Sequence, residues 1–346
     1  MGSNGMHIQD NVSLRDYSTM GLGGKARFFS EARNEDDLKK LVDWANKQSL
    51  PMIVVGEGSN IVWRDEGFKG LLIANRIAGR GVLDQDGHGV TIRIGAGEDW
   101  DEIVEWTVKK SLSGIEFLSA IPGRTGAAPV QNIGAYGAEI AQTLVELTAL
   151  DTQTGDYIVI KNKACGFAYR TSRFKTSDKG RFIITLITLR LSKTPPAPPF
   201  YESLEKYLAQ HKIKDYNPRT IREAVIAIRA IKLPSPAKVA NNGSFFTNPV
   251  IGKEEFEILQ QKYPDIKGWP HGNRVKVSAG WLLEEAGFKG VHDKQTGMAT
   301  WPAQALVLIN EHARNTADLL NFKQKIQTKV HQLFGIVLEQ EPELLP

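Results

Sequence analysis

Apolar residues first fall into a clear pattern after Asn34, where Leu38, Leu41, Val42 and Ala45 recur at helical spacing behind an acidic first turn. Asn34 has the side chain of an N-cap, so the pattern predicts a helix beginning there. "PMIVV" then predicts a buried strand ending at Gly56, and "LLIAN" and "VTIRI" predict two more. "WDEIVEWTVKKSL" gathers Trp100, Ile103, Val104 and Val108 on one face and predicts a second helix. From Leu144 the period changes. "LVELTALD", "DYIVI" and "RFIITLITLRL" read as strands with Gly155 and Gly180 near their turns, which predicts an antiparallel sheet after the earlier mixed one.

Beyond Leu191 the pattern breaks at "SKTPPAPPF", where four prolines in nine residues cannot continue a strand. This reads as a stiff connector and a domain boundary near residue 195. "TIREAVIAIRAIK" then predicts an amphipathic helix, "VKV" with "SAGWLLEEAG" a strand and helix, and "ALVLIN" a buried strand. A helix spans Thr316 to Phe334, capped by Asn315 and stopped by Gly335, and a short strand "IVLE" closes the chain. The expected organisation is a lead-in over 1–17, in which "MGSNG" before Met6 reads as an appended tag. A domain over 18–195 follows, with subdomains of about 18–80 and 81–195. A linker and loop over 196–214 lead to a smaller α+β domain over 215–346.

Composition narrows the function without naming it. The chain has 346 residues, 41% hydrophobic and 24% charged, an ordinary balance for a folded chain of two domains. The formal charge of +4 is mild, and no Lys/Arg block is dense enough for a nucleic-acid surface. No apolar run reaches membrane length and no signal peptide opens the chain. One cysteine, Cys165, excludes an internal disulfide and a multi-cysteine metal site, which suits a reducing cytoplasm. A small structural residue is the expected role of Cys165 rather than a nucleophile.

Three stretches carry candidate chemistry. "VVGEGSN", Val54 to Asn60, follows a strand with glycines that let backbone N–H groups approach an anion; a tight turn between strands explains it equally well. It is neither a dinucleotide fingerprint nor a P-loop, because G-x-G-x-x-G and Gly-Lys-Ser/Thr are absent. "IPGRTGAAPVQNIGAYG", Ile121 to Gly137, has so little side-chain bulk that its backbone can lie against a flat or extended ligand. A long surface loop is the alternative. "NNGSFFTNP", Asn241 to Pro249, looks unlike a core strand and unlike a linker, and sets Ser244 between a glycine and a phenylalanine pair.

Taken with "FAYRTSRFK", "VKVSAGWLLEEAG" and "ALVLIN", these motifs resemble, in order and over nearly the whole chain, the family of UDP-N-acetylenolpyruvoylglucosamine reductases (MurB). The first two alone would indicate only the wider group of FAD-binding oxidases and reductases; "GSFF" followed by "NP" makes the resemblance specific. The fold it implies is α+β, with a two-subdomain FAD-binding part followed by the smaller substrate-binding domain. The activity it implies is NADPH-dependent reduction of UDP-N-acetylglucosamine enolpyruvate to UDP-N-acetylmuramate, a step of peptidoglycan precursor synthesis. A non-catalytic nucleotide-binding flavoprotein and a 2-hydroxy acid oxidase of the same fold are the alternatives.

By resemblance, non-covalent FAD lies against Gly56, Glu57, Gly58, Ser59 and Asn60 on one side. On the other lie Pro122, Gly123, Gly126, Ala127, Gln131, Asn132, Gly134 and Ala135. Hydride comes from flavin N5 and the proton from Ser244, whose bland alternative is a turn hydroxyl. Arg170 and Glu341 attend the enolpyruvyl carboxylate, although a surface salt bridge would otherwise explain Arg170 and Glu339 competes with Glu341. The resemblance assigns Tyr136, Tyr201, Lys232, Asn248, Lys276 and Gln304 to the sugar nucleotide. Tyr201, which could instead pack beside the prolines, occupies the tyrosine loop of the longer, type I members. No metal is implied, no nucleic acid or membrane partner, and a monomer is expected. Three stretches depart from the family pattern: Thr247 replaces a frequent lysine, Arg124 and Thr125 replace smaller residues, and "TWPAQALVL" lacks a frequent histidine.

Overall fold

A computed structural model describes residues 6–346; the expected tag over residues 1–5 lies outside the described residues. The chain forms two compact units. Of the described residues, the first comprises 6–12, 26–57 and 68–229; the second comprises 13–25, 58–67 and 230–346.

In the first unit, helix α1 (Glu35–Lys47) starts where the pattern placed it, with the Asn34 side chain accepting from the Asp37 N–H. It connects parallel strands, Lys25–Ala32 and Met52–Val55, which flank Phe68–Asn75 in a sheet edged by Gln9–Ser13. A parallel pair needs such a crossover, and Leu38, Leu41, Val42 and Ala45 bury against Leu71 and Ile73. The expected lead-in is therefore structured from Gln9 onward, because that strand joins the sheet. Helix α2 (Trp100–Lys109), capped by Asp99, covers an antiparallel sheet with strand order Tyr157–Lys161, Leu144–Asp151, Phe182–Ser192, Gly89–Gly95 and Arg80–Gln85.

The boundary expected near residue 195 falls after Arg229 instead. Helices α3 (Glu202–Gln210) and α4 (Pro218–Lys232) explain the shift. Their apolar stripes, Leu204 and Leu208 with Ile221, Ala224, Val225 and Ile228, pack together with Phe117 and Tyr136 of the first unit. Arg222 of α4 also forms a two-pronged ion pair with Asp101 of α2, at 2.5 and 2.9 Å. Proline density stiffens the connector without separating the helices that follow it.

The second unit is built on the strand order Ala240–Ser244, Gln304–Asn310, Met298–Trp301 and His292–Asp293. Helices α5 (Lys253–Lys262), α6 (Ala279–Glu285) and α7 (Thr316–Phe334) accompany it, the last capped by Asn315 and stopped at Gly335 as expected. Two expectations fail here. Ala240–Ser244 is a strand after all, with a bulge between Asn241 and Ser244, which face Ile309 and Val307. Side-chain amides replace part of the backbone ladder at the bulge: the Gly243 N–H donates to Asn241 Oδ1 at 2.8 Å. "IVLE" is not a strand; Ile336 and Leu338 bury and Val337 is exposed. The closing strand is Glu343–Leu345, parallel to Ile61–Trp63.

Candidate active site

In the first unit the glycine-rich stretch is held by its neighbours rather than left as a free surface loop. Asp101 accepts from the Ala120 N–H at 2.6 Å, and Arg229 of α4 donates to the Ala120 carbonyl at 3.2 Å, so the residue before Ile121 is gripped on both sides. Further along, Thr125 is fully buried, with its hydroxyl 2.9 Å from the Gly95 carbonyl and 2.8 Å from the Glu98 carbonyl. Arg124 pairs with Glu57 at 2.6 Å and reaches the Gly97 carbonyl. The two departures at 124 and 125 are thus internal braces, and Glu57 spends its charge on one of them.

The segment around Arg170 docks onto the same stretch. Asn132, buried, donates to the Ala168 carbonyl at 3.2 Å and to Glu139 at 2.7 Å, while the Ser172 hydroxyl donates to the Val130 carbonyl at 2.6 Å. Arg170 itself donates to the Gly134 carbonyl at 2.8 Å. That bond ties Arg170 to the glycine-rich stretch. Tyr136 lies edge-to-face with Tyr201, ring centres 6.1 Å apart, and Tyr201 stays 46% exposed. Gly123, Gly126, Gln131, Gly134 and Ala135 are half-buried along the stretch, whereas Pro122 and Ala127 are exposed.

Arg229, which the structure sets against the start of the glycine-rich stretch, drew no notice in the pattern because it sits in an ordinary-looking helix between apolar positions. Burial pushes its guanidinium below the usual arginine range, and Arg170 acts in the same direction against Tyr136 and Asp101. Among the described residues no carboxylate lies within ion-pair distance of it, since Asp101 is engaged by Arg222. The sequence signal was Arg222 and Arg229 seven residues apart on one helical face.

In the second unit Gly58 lies buried at φ +77°, and a Cβ there would come within 2.1 Å of the Tyr17 carbonyl oxygen. The Glu57 and Gly58 N–H groups donate to no protein acceptor among the described residues. Unspent backbone donors beside glycine, one of them buried, fit the phosphates of a dinucleotide cofactor. Ser59 and Asn60 continue the loop, and the Asn60 carbonyl accepts from the Glu343 N–H at 2.9 Å.

Ser244, half-buried, ends its strand one residue before two fully buried phenylalanines, Phe245 and Phe246. The C-terminal segment pairs with this run: the Glu341 N–H donates to the Phe245 carbonyl and the Thr247 N–H to the Glu339 carbonyl, both at 2.9 Å. Glu341 is half-buried and Glu339 exposed. Asn248 accepts from the Ala279 N–H at 2.9 Å, Lys276 faces Val250 across a strand pair, and the Gln304 side chain lies against Gly280. Ser244, Asn248, Lys276, Gln304 and Glu341 are thus carried by contiguous elements. Lys232 is exposed at the end of α4 and no hydrogen bond or ion pair joins it to them.

Cys165 is fully buried and its thiol is pushed up to about 11 by burial, with Arg173 opposing. A thiolate fraction of roughly one in a thousand at pH 8 makes it inert. Cys165→Ser is expected to leave turnover unchanged, and a thiol reagent at pH 8 should label the native protein only after denaturant is added. Rapid native labelling contradicts this.

Residues 26–161 match the family described as "FAD binding domain", and residues 235–345 match "UDP-N-acetylenolpyruvoylglucosamine reductase, C-terminal domain". The UDP-N-acetylenolpyruvoylglucosamine reductase of Alcanivorax borkumensis is 41% identical over 97% of this chain and 96% of its own. That of Pseudomonas putida is 38% identical over 97% and 98%. The crystal structure of the Thermus caldophilus reductase covers 99% of this chain and all of its own, at a TM-score of 0.69 and 23% identity, a likeness of fold. The glycine loops, the serine beside the phenylalanine pair and the full-length similarity agree: the chain belongs to the UDP-N-acetylenolpyruvoylglucosamine reductase family.

Proposed function

We propose that the chain reduces UDP-N-acetylglucosamine enolpyruvate to UDP-N-acetylmuramate with NADPH, as a cytoplasmic monomer. The observation that carries the reading is the main-chain pairing of the Ser244–Thr247 run with Glu339–Glu341, which sets a hydroxyl and a half-buried carboxylate on adjoining segments. Gly56 to Asn60 and the glycine-rich stretch through Ala135 would hold FAD, which, once reduced by NADPH, would supply a hydride to one carbon of the enol ether. The Ser244 hydroxyl gives its proton to the neighbouring carbon, so the double bond is consumed as two C–H bonds form. Serine is a weak acid, and its help comes from charge stabilisation. Arg170 and Glu341 attend the substrate carboxylate as negative charge builds there. Tyr136, Tyr201, Lys232, Asn248, Lys276 and Gln304 take the sugar nucleotide, the lysines through its diphosphate.

Arg229 joins this set, because a half-buried, desolvated guanidinium that grips the Ala120 carbonyl and pairs with no carboxylate among the described residues favours an anionic ligand group. Arg229→Met is expected to lower kcat/KM for the enolpyruvyl substrate by about a hundredfold. An unchanged kcat/KM would remove Arg229 from the site.

The absorbance of the purified protein tests the whole reading. Bound FAD should lose its yellow band on addition of NADPH and regain it, without oxygen, only when the enolpyruvyl sugar nucleotide is added. Recovery of the band without that substrate, or bleaching by lactate in place of NADPH, refutes it.

A further inference from the structure

The strand that ends at Ser244 carries an amide with no role in the reading above. Asn242 is 6% exposed. Its Nδ2 lies 3.0 Å from Thr19 Oγ1 and 3.2, 3.3 and 3.4 Å from the carbonyls of Ile61, Ser59 and Gly58. Thr19 completes the connection: its N–H donates to the Gly58 carbonyl at 3.1 Å, and its own carbonyl accepts from the Asn241 N–H at 2.9 Å. Three stretches distant in sequence, 18–21, 58–61 and 240–244, are thereby tied at one point within the second unit.

Two features separate this clasp from ordinary core packing. Asn242 Oδ1 is buried without a hydrogen-bond partner among the described residues, so the amide is kept despite an unpaid desolvation of its acceptor. Stability alone would favour an apolar side chain here. Then comes Gly243, at φ +71° with nothing within 4 Å of where a Cβ would lie. Nothing at Gly243 packs to hold Ser244 from the upstream side. Downstream it is held by the Phe245 N–H donating to the Leu306 carbonyl at 2.8 Å and by the buried phenylalanines. Upstream, the Asn241 N–H on the Thr19 carbonyl and the Asn242 amide hold the strand, and of the two side chains Asn242 is the one that reaches the 58–61 loop.

We propose that Asn242 is a positioning residue, clasping the strand of Ser244 to the glycine loop 58–61 through Thr19 so that the serine hydroxyl is held in register with the cofactor loop. The inference rests on the proton-donor reading of Ser244. It concerns reach and orientation rather than contact with the reacting atoms.

The test uses the full chain, carrying FAD for the two half-reactions and stripped of it for hydrogen exchange, with Asn242→Ala, Thr19→Val and Thr19→Ser, and with Asn242→Ala combined with Ser244→Ala. Amide hydrogen exchange over 17–21, 58–61 and 240–245, measured without FAD, should speed up by about tenfold or more in Asn242→Ala. Bleaching by NADPH should stay within about twofold, while recovery with substrate slows by about ten- to a hundredfold. Thr19→Val should reproduce part of that loss and Thr19→Ser should restore it. Added to Ser244→Ala, the Asn242 change should cost nothing further, because there is no hydroxyl left to aim. Equal loss in both half-reactions, additive loss with Ser244→Ala, or unchanged exchange overturns the clasp while leaving Ser244 as donor. Normal recovery in Ser244→Ala alone removes the donor itself, and the positioning role falls with it.

Discussion

Ser244→Ala is expected to leave the bleaching of bound FAD by NADPH within about twofold of the unmodified protein and to slow substrate-driven recovery by about 10²- to 10⁴-fold. The asymmetry follows from where the proton is used. Only the carbon–carbon double bond needs an acid, and the Ser244 hydroxyl is the acid assigned to it. The change is sterically mild, since Ser244 is half-buried at a strand end and the packing of Phe245 and Phe246 does not depend on its oxygen. Rapid mixing of each half-reaction measures the two rates separately. A common slowing of both halves would show damage to the fold or to FAD binding, and the donor assignment would be abandoned.

Gly58→Ala is expected to destabilise the protein by about 2–3 kcal/mol and to strip it of FAD on purification. Two independent costs coincide at this residue. A side chain at φ +77° is strained by itself, and its Cβ would fall 2.1 Å from a main-chain oxygen, Tyr17 O, which cannot rotate away as a side chain could. Relief requires the 17–19 segment to retreat, and Thr19 is bonded both to the Gly58 carbonyl and to the strand of Ser244. The loss should register in a denaturant titration and in the flavin absorbance per mole of protein. Full FAD content at unchanged stability would show that the loop has more room than its geometry allows.

Much of this chain was legible in its sequence. Asn34 and Asn315 announce helix starts because an N-cap is a local device, read from one side chain and the stripe that follows it. The order of strands and the small-residue stretch from Ile121 to Gly137 are likewise patterns along the chain. Thr125 and Arg124, which depart from the family, could not be interpreted that way; the carbonyls of Gly95 and Glu98 and the carboxylate of Glu57 that explain them belong to other elements.

The tertiary structure alone decided three matters, each for the same reason: the deciding partner is remote in sequence. Proline density marked a connector, but the unit boundary went to Arg229 because the apolar stripe of α4 packs on α3, Phe117 and Tyr136, and Arg222 reaches Asp101. Polar Asn241 and Asn242 argued against a strand, yet they form one, since amides can satisfy a bulged ladder once Thr19 and the 58–61 loop are beside them. Arg229 looked like one more helix charge until the fold set it against the Ala120 carbonyl with no carboxylate paired to it among the described residues. Periodicity and caps are short-range and survive in one dimension; burial, charge pairing and hydrogen-bond satisfaction depend on neighbours that only folding supplies.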